Sequence, residues 1–245
     1  MSGWLARFGF KLGRVAGSVL RRSRPAASAA ISPPATSTEW DSAPASSNLG
    51  VFALSEAEMA ERKIIVTAIG ELELPTGEII ACDPLIAGLE RPVFSRKVRP
   101  GCYPVTLLEA QGRVAAAVLR FGTGLPVRWE LAAFVRDVGT SSWKSGFIVD
   151  DNVASFMDKS VLTLMSEQEE LDSYLADVAC SFDKFRMDNP VDGNPLNIAM
   201  FDTGFGDGNY YSFWGLDAAG EPLVLMTDFE VLENADGRES SPSNS

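Results

Sequence analysis

Short apolar runs separated by glycine-, proline- or asparagine-marked turns fill residues 63–135 and 196–230, and this rhythm restricts the chain to a fold built from short strands. "KIIVTAIGELELP" and "GEIIACDP" flank Thr76-Gly77, and "CYPVTLLEA" and "RVAAAVLRF" flank Gln111-Gly112, so each pair is predicted to be a hairpin. In "PVRWELAAFV", Trp129 and Leu131 point to one side of a strand and Arg128 and Glu130 to the other. Further strands are predicted at 196–202, 209–216 and 222–230. Two helices interrupt the pattern. Ser55 with Glu58 three residues on is a capping box that starts a helix over 55–62. Ser166 with Glu169 starts another over 167–180, whose Leu171, Tyr174, Leu175 and Val178 share a face. Together these elements predict an α+β domain, mainly antiparallel β and sandwich-like, with two short helices and no internal repeat.

That domain occupies residues 49–233. Before it, residues 1–24 read as a basic amphipathic leader helix, with Trp4, Phe8, Leu12, Val15 and Val19 along one stripe and Arg7, Lys11, Arg14, Ser18 and Arg21 along the other. Its charges interrupt any membrane-spanning run. It fits an organelle presequence, a secretion leader or a membrane-surface anchor acting through residues 3–22. Residues 25–48 are a Ser/Ala/Pro linker and residues 234–245 a polar tail, both disordered by composition. The expected location is cytoplasmic or membrane-associated, with a secreted effector as the alternative.

Charge is distributed unevenly. The six cations up to Arg24 precede the first acid, Glu39, so a chain of net charge −12 carries −18 beyond its leader. Such a body is a poor ligand for nucleic acid, whose affinity comes from cations displacing counterions, and it suits a basic protein partner. The chain has no histidine, which removes Ser-His-Asp and Cys-His catalysis and His-ligated metals. Cys82, Cys102 and Cys180 match neither a disulfide framework nor a metal motif, and are expected to be reduced and buried.

Three segments carry candidate chemistry. Gly206-Asp207-Gly208 lacks the spacing of a phosphate loop. Asp207 there suits either a hard-cation ligand or an acceptor of local turn hydrogen bonds. In "GFIVDDNVASFMDKS", Asp150, Asp151 and Asp158 follow an apolar strand. They fit a metal or general-base site, or Asp150 or Asp151 caps a short helix through Val153 and Phe156. Cys82-Asp83-Pro84 ends a strand, and Asp83 with Arg128 or Glu130 either lines a polar pocket or belongs to a turn.

The blocks "GELELPTGEIIACDPL", "RPGCYPVTL", "RVAAAVLRF", "VRWELA" and "GDGNYYSFWGLDAAGEPLVLMTDF", in that order, resemble the bacterial family known as domain of unknown function 4241, over about residues 66–230. The resemblance implies no established activity. Matching positions are Gly77, Asp83, Gly101, Gly206, Asp207, Gly208, Gly215, Asp217 and Asp228. It also implies a glycine-rich stretch ending in Cys-Phe-Met-Asp at 147–158. This chain keeps Asp150, Phe156, Met157 and Asp158 there but carries Asn152, Ala154 and Ser155, so a catalytic cradle at that loop would be altered.

Two functions follow as expectations. The first is an acidic protein-binding domain, of the immunity or effector-associated kind, with Asp83, Arg128, Glu130, Asp217 and Asp228 as binding residues and no cofactor. The alternative is a hydrolase using Asp150, Asp158 and Asp207 around Mg, Ca or Mn.

Overall fold

The computed structural model describes residues 47–86, 91–135, 146–166 and 171–232. The leader, nearly all of the linker and the tail lie outside these residues, as do the Ser166–Glu169 capping residues from 167 on. A 3-10 segment, Ser47–Ala53, leads into α1 (Glu56–Glu61), whose capping box is formed as predicted, with Ser55 and Glu58 exchanging side-chain and backbone hydrogen bonds. Strands then follow in the order β1 (Ile65–Leu74), β2 (Ile79–Cys82), β3 (Gly101–Ala110), β4 (Arg113–Arg120), β5 (Arg128–Leu131), β6 (Phe147–Val149) and β7 (Val153–Asp158). Two helices, α2 (Lys159–Ser166) and α3 (Leu171–Ser181), precede β8 (Phe185–Asp188), β9 (Ile198–Asp202), β10 (Gly208–Leu216) and β11 (Pro222–Asp228). The fold is mainly antiparallel β with a few short helices, and every strand pair is antiparallel.

The strands form two sheets. Seven run in the order β1-β3-β4-β11-β10-β5, with β6 also on β10, and four run β2-β7-β9-β8. Alternation along the smaller sheet divides its side chains between two clusters. Ile79, Ala81, Ala154, Phe156, Ala199 and Phe201 join the core shared with the larger sheet. Ile80, Cys82, Val153, Met157, Ile198 and Met200 pack instead on Val161, Met165 and Val178 of the helices. The smaller sheet is therefore the middle of three layers. The 3-10 segment adds to the large core through Val51 and through Phe52, whose ring lies 5.1 Å from Trp129.

The Gln111-Gly112 hairpin forms as predicted, both residues taking positive φ as a two-residue turn of its twist requires. Thr76-Gly77 differs. It is a turn, but β1 pairs with β3 and β2 with β7, so the chain changes sheets there instead of making a hairpin. Gly77 permits this by its φ of 67° and by close approach, since a Cβ would fall 2.1 Å from the Val98 carbonyl oxygen.

Residues 153–158 are a strand rather than the predicted short helix. Every one of them is buried, because one face meets the large sheet and the other the helices, and such a strand shows no alternation to read. The helix begins only after Asp158, whose carboxylate takes the Ser160 amide at 2.9 Å. β8 and α2 were not predicted. The cysteines are all free. Cys82 is buried and its thiol is pushed up to about 11, first by burial. Cys102 and Cys180 are exposed, contrary to the expectation of three buried thiols. Among the described residues no helix is long and apolar enough to cross a membrane.

Candidate functional site

Two turns, between β6 and β7 and between β9 and β10, meet at one end of the sheets. The last pairs of the β6–β10 ladder are Asn209 with Ile148 and Gly208 with Val149. Asp207 and Asp150 are the residues that lie immediately beyond the end of this ladder, and neither acid is needed as a structural ligand among the described hydrogen bonds. Both are exposed, as are Asp151 and Asn152. Asp202 enters the same end because it pairs with Val153.

The scaffold beneath these acids is firmly held. Asn152 takes a left-handed φ of 59°, and Gly206, at φ 96°, comes so close that a Cβ would lie 2.4 Å from the Asn152 Oδ1. The buried Thr203 hydroxyl lies 2.8 Å from the Gly206 carbonyl and 3.2 Å from that of Asn152, linking the two turns. Tyr210 donates its hydroxyl to the same Gly206 carbonyl at 2.7 Å. Burial pushes the Tyr210 hydroxyl above its ordinary pKa, a hydrogen bond with Thr203 opposes this, and the charges of Glu230, Asp202 and Asp207 add to the rise. Arg113 reaches across from β4, donating to the Gly204 carbonyl at 2.6 Å with its guanidinium 5.2 Å over the Phe205 ring.

Phe205 is 51% exposed and Ile148 40%, and each lies two residues before an exposed acid at this end, with the Arg113 guanidinium over the Phe205 ring. Asp83, only 2% exposed, lies behind it and accepts the amides of Asp150 and Asp151 at 3.0 and 3.1 Å and that of Leu85 at 2.8 Å. Burial raises the pKa of its carboxyl, with the three amides opposing and the Asp151 charge adding.

The other predicted residues lie elsewhere. Asp158 is at the far end of β7, about 16 Å from Val153 at roughly 3.3 Å per residue, and its carboxylate is engaged by Thr76 and Ser160. It does not join Asp150 and Asp207. Among the described residues no three His, Cys, Asp or Glu side chains gather as a cation site. Asp217, at the opposite end of β10 from Gly208, caps the β10–β11 turn by accepting the Ala219 and Glu221 amides. Asp228 is buried and accepts both hydrogen bonds of the Asn48 amide, at 2.8 and 3.0 Å. Arg128 pairs with Glu130 at 2.9 Å and Arg96 with Glu130 at 2.8 Å, a network whose partners are distinct from those of Asp83.

The described side chains at this end offer no activated nucleophile. Ser155 is fully buried and donates its hydroxyl to the Cys82 carbonyl at 2.9 Å, while Lys159 lies with Glu78 at 3.6 Å. The sequence singles out Asp150, Asp151 and Asp207 but not the exposed Ile148 and Phe205 beside them. An aromatic residue between two glycines, as in "TGFGDG", was the available signal, since a Phe held in a turn has little core to enter.

A family model described as "Protein of unknown function (DUF4241)" matches residues 72–227, from the end of β1 to the end of β11. No curated protein and no solved structure matches significantly. With the family pattern running through both sheets and through the turns of the acidic face, the chain belongs to this family of proteins of unknown function, DUF4241.

Proposed function

We propose that the domain acts by binding, and that the face formed by residues 148–152 and 202–207 docks a basic protein. The observation that carries this reading is the position of exposed Phe205 and Ile148 among Asp150, Asp151, Asp202 and Asp207. An aromatic and an aliphatic anchor supply the desolvated centre of an interface, and surrounding carboxylates select a cationic partner and speed its approach. The charge of −18 beyond the leader adds a long-range attraction of the same sign. The absence of histidine from the chain and the engaged state of Ser155 both favour binding over chemistry.

A defined cationic probe tests this. In a titration of the isotopically labelled chain with a peptide of alternating lysine and leucine, amide shifts are expected to concentrate at 148–152 and 203–209. Affinity is expected to fall roughly tenfold between about 0.05 and 0.5 M salt, as the Debye length contracts below the spacing of surface charges. Shifts spread evenly over all acidic surfaces would count against a dedicated face.

A further inference from the structure

We propose that Asp83 is a titratable strap: as a carboxylate it fastens the β6–β7 turn to the end of β2, and on taking a proton it releases that turn together with Asp150 and Asp151. The geometry is specific. One carboxylate oxygen receives the successive amides of Asp150 and Asp151, and the other receives Leu85, the next residue able to donate, because Pro84 has no N–H. An ionised carboxylate serves all three donors. A protonated one gives up acceptor strength at one oxygen and gains a hydrogen that itself needs a partner.

Among the described residues the charged groups facing Asp83 are few. Asp150 and Asp151 come from the turn, and the Asp151 charge favours protonation. Next to its own strand, Arg91 donates to the Pro84 and Ile86 carbonyls and acts on the Cys82 thiol. β6 carries no charged side chain, and the acid of β7, Asp158, lies at that strand's other end. Burial is the largest influence on Asp83 and raises its affinity for a proton above that of the unfolded chain. The sign follows from linkage. This group's contribution to stability is fully present below its unfolded pKa and is lost as pH rises through the folded one. The amides of Asp150, Asp151 and Leu85 oppose that rise, so a turn released while Asp83 stays buried binds the proton more tightly than the strapped one, and mild acid favours release without Asp83 itself driving unfolding. That acid also weakens partner binding rests on the docking reading above, whereas the strap stands without it.

The test uses the full chain carrying Asp150→Asn and Asp151→Asn, which removes the turn's own titrations. The amide resonances of residues 85, 150 and 151 are expected to move with one midpoint, above the ordinary aspartate value of about 3.9. Solvent exchange at 150 and 151 is expected to quicken about tenfold beyond its intrinsic pH dependence, as one charge-assisted anchor is lost. Adding Asp83→Asn is expected to abolish the joint transition. Separate midpoints, unmoved resonances while the fold persists, or a transition that survives Asp83→Asn would overturn the proposal. If the triple variant fails to fold, the common midpoint in the double variant decides alone. Failure of the lysine–leucine peptide to bind the unaltered chain, with this titration intact, would tell against the docking reading only.

Discussion

Asp158→Ala is expected to lower the unfolding free energy by about 3–5 kcal/mol, measured by urea denaturation, although the residue lies far from the acidic face. Its carboxylate is fully buried and holds four donors: the Thr76 amide and hydroxyl, and the Ser160 amide and hydroxyl. One set closes the turn by which the chain leaves the large sheet for the small one, and the other caps α2. Alanine removes the acceptor shared by the part-buried donors of Thr76 and Ser160 and leaves a void where the buried carboxylate sat, which costs more than the hydrogen bonds contribute on balance. Asp158→Asn keeps one acceptor oxygen and is expected to lose about half as much. Equal losses from Asn and Ala would show that charge, rather than the count of acceptors, is the decisive property.

Phe201→Ala should produce a loss of similar size, about 3–5 kcal/mol by the same measurement. Phe201 is fully buried at the interface of the two sheets, with ring centroids 5.0 Å from Phe156 in a T-shaped arrangement and 6.0 Å from Phe229. Phe156 belongs to the small sheet and Phe229 follows the last strand of the large one, so the three rings join the layers. Truncation removes apolar burial and leaves a cavity that two stiff sheets close poorly. Phe201→Leu retains most of the volume and should cost less than half of this. A double-mutant cycle with Phe229→Ala should give a coupling of about 0.5–1.5 kcal/mol, the usual range for a buried aromatic pair.

The contrast between these two positions explains what could be read from the chain. Strands with one wet face announced themselves by alternation, as β5 did through Trp129 and Leu131, and Gln111-Gly112 named its own hairpin. The first capping box placed α1 because a cap is a local contact. β7 was misread because burial on both faces erases alternation, and β2 was paired with the wrong neighbour because a turn residue reports the bend but not the sheet that receives the chain. Asp158 was noticed as an acid and assigned to chemistry, whereas its donors come from residues 82 positions away in sequence and two positions on.

The site was legible in part for the same reason. Asp150, Asp151 and Asp207 were visible as acids at strand ends, but their meeting depends on the β6–β10 register, a long-range pairing. Exposure of Phe205 is equally a tertiary property, set by Arg113 and the Gly206 turn. Asp83 was placed in a turn or in a pocket with Arg128 and Glu130. The turn is present, with the Asp83 carboxylate taking the Leu85 amide two residues on as well as the amides of the neighbouring turn, whereas Arg128 and Glu130 pair with each other and with Arg96 rather than with Asp83.

The docking reading is tested most directly by parallel purification from the native cell of the C-terminally tagged chain and of the same chain carrying Asp150→Lys and Asp207→Lys. Both side chains are exposed, so the fold is expected to survive the change. The account expects one stoichiometric basic protein with the unaltered chain and its loss from the variant. Recovery of no such partner, or of the same partner at the same yield with the charges reversed, would contradict it.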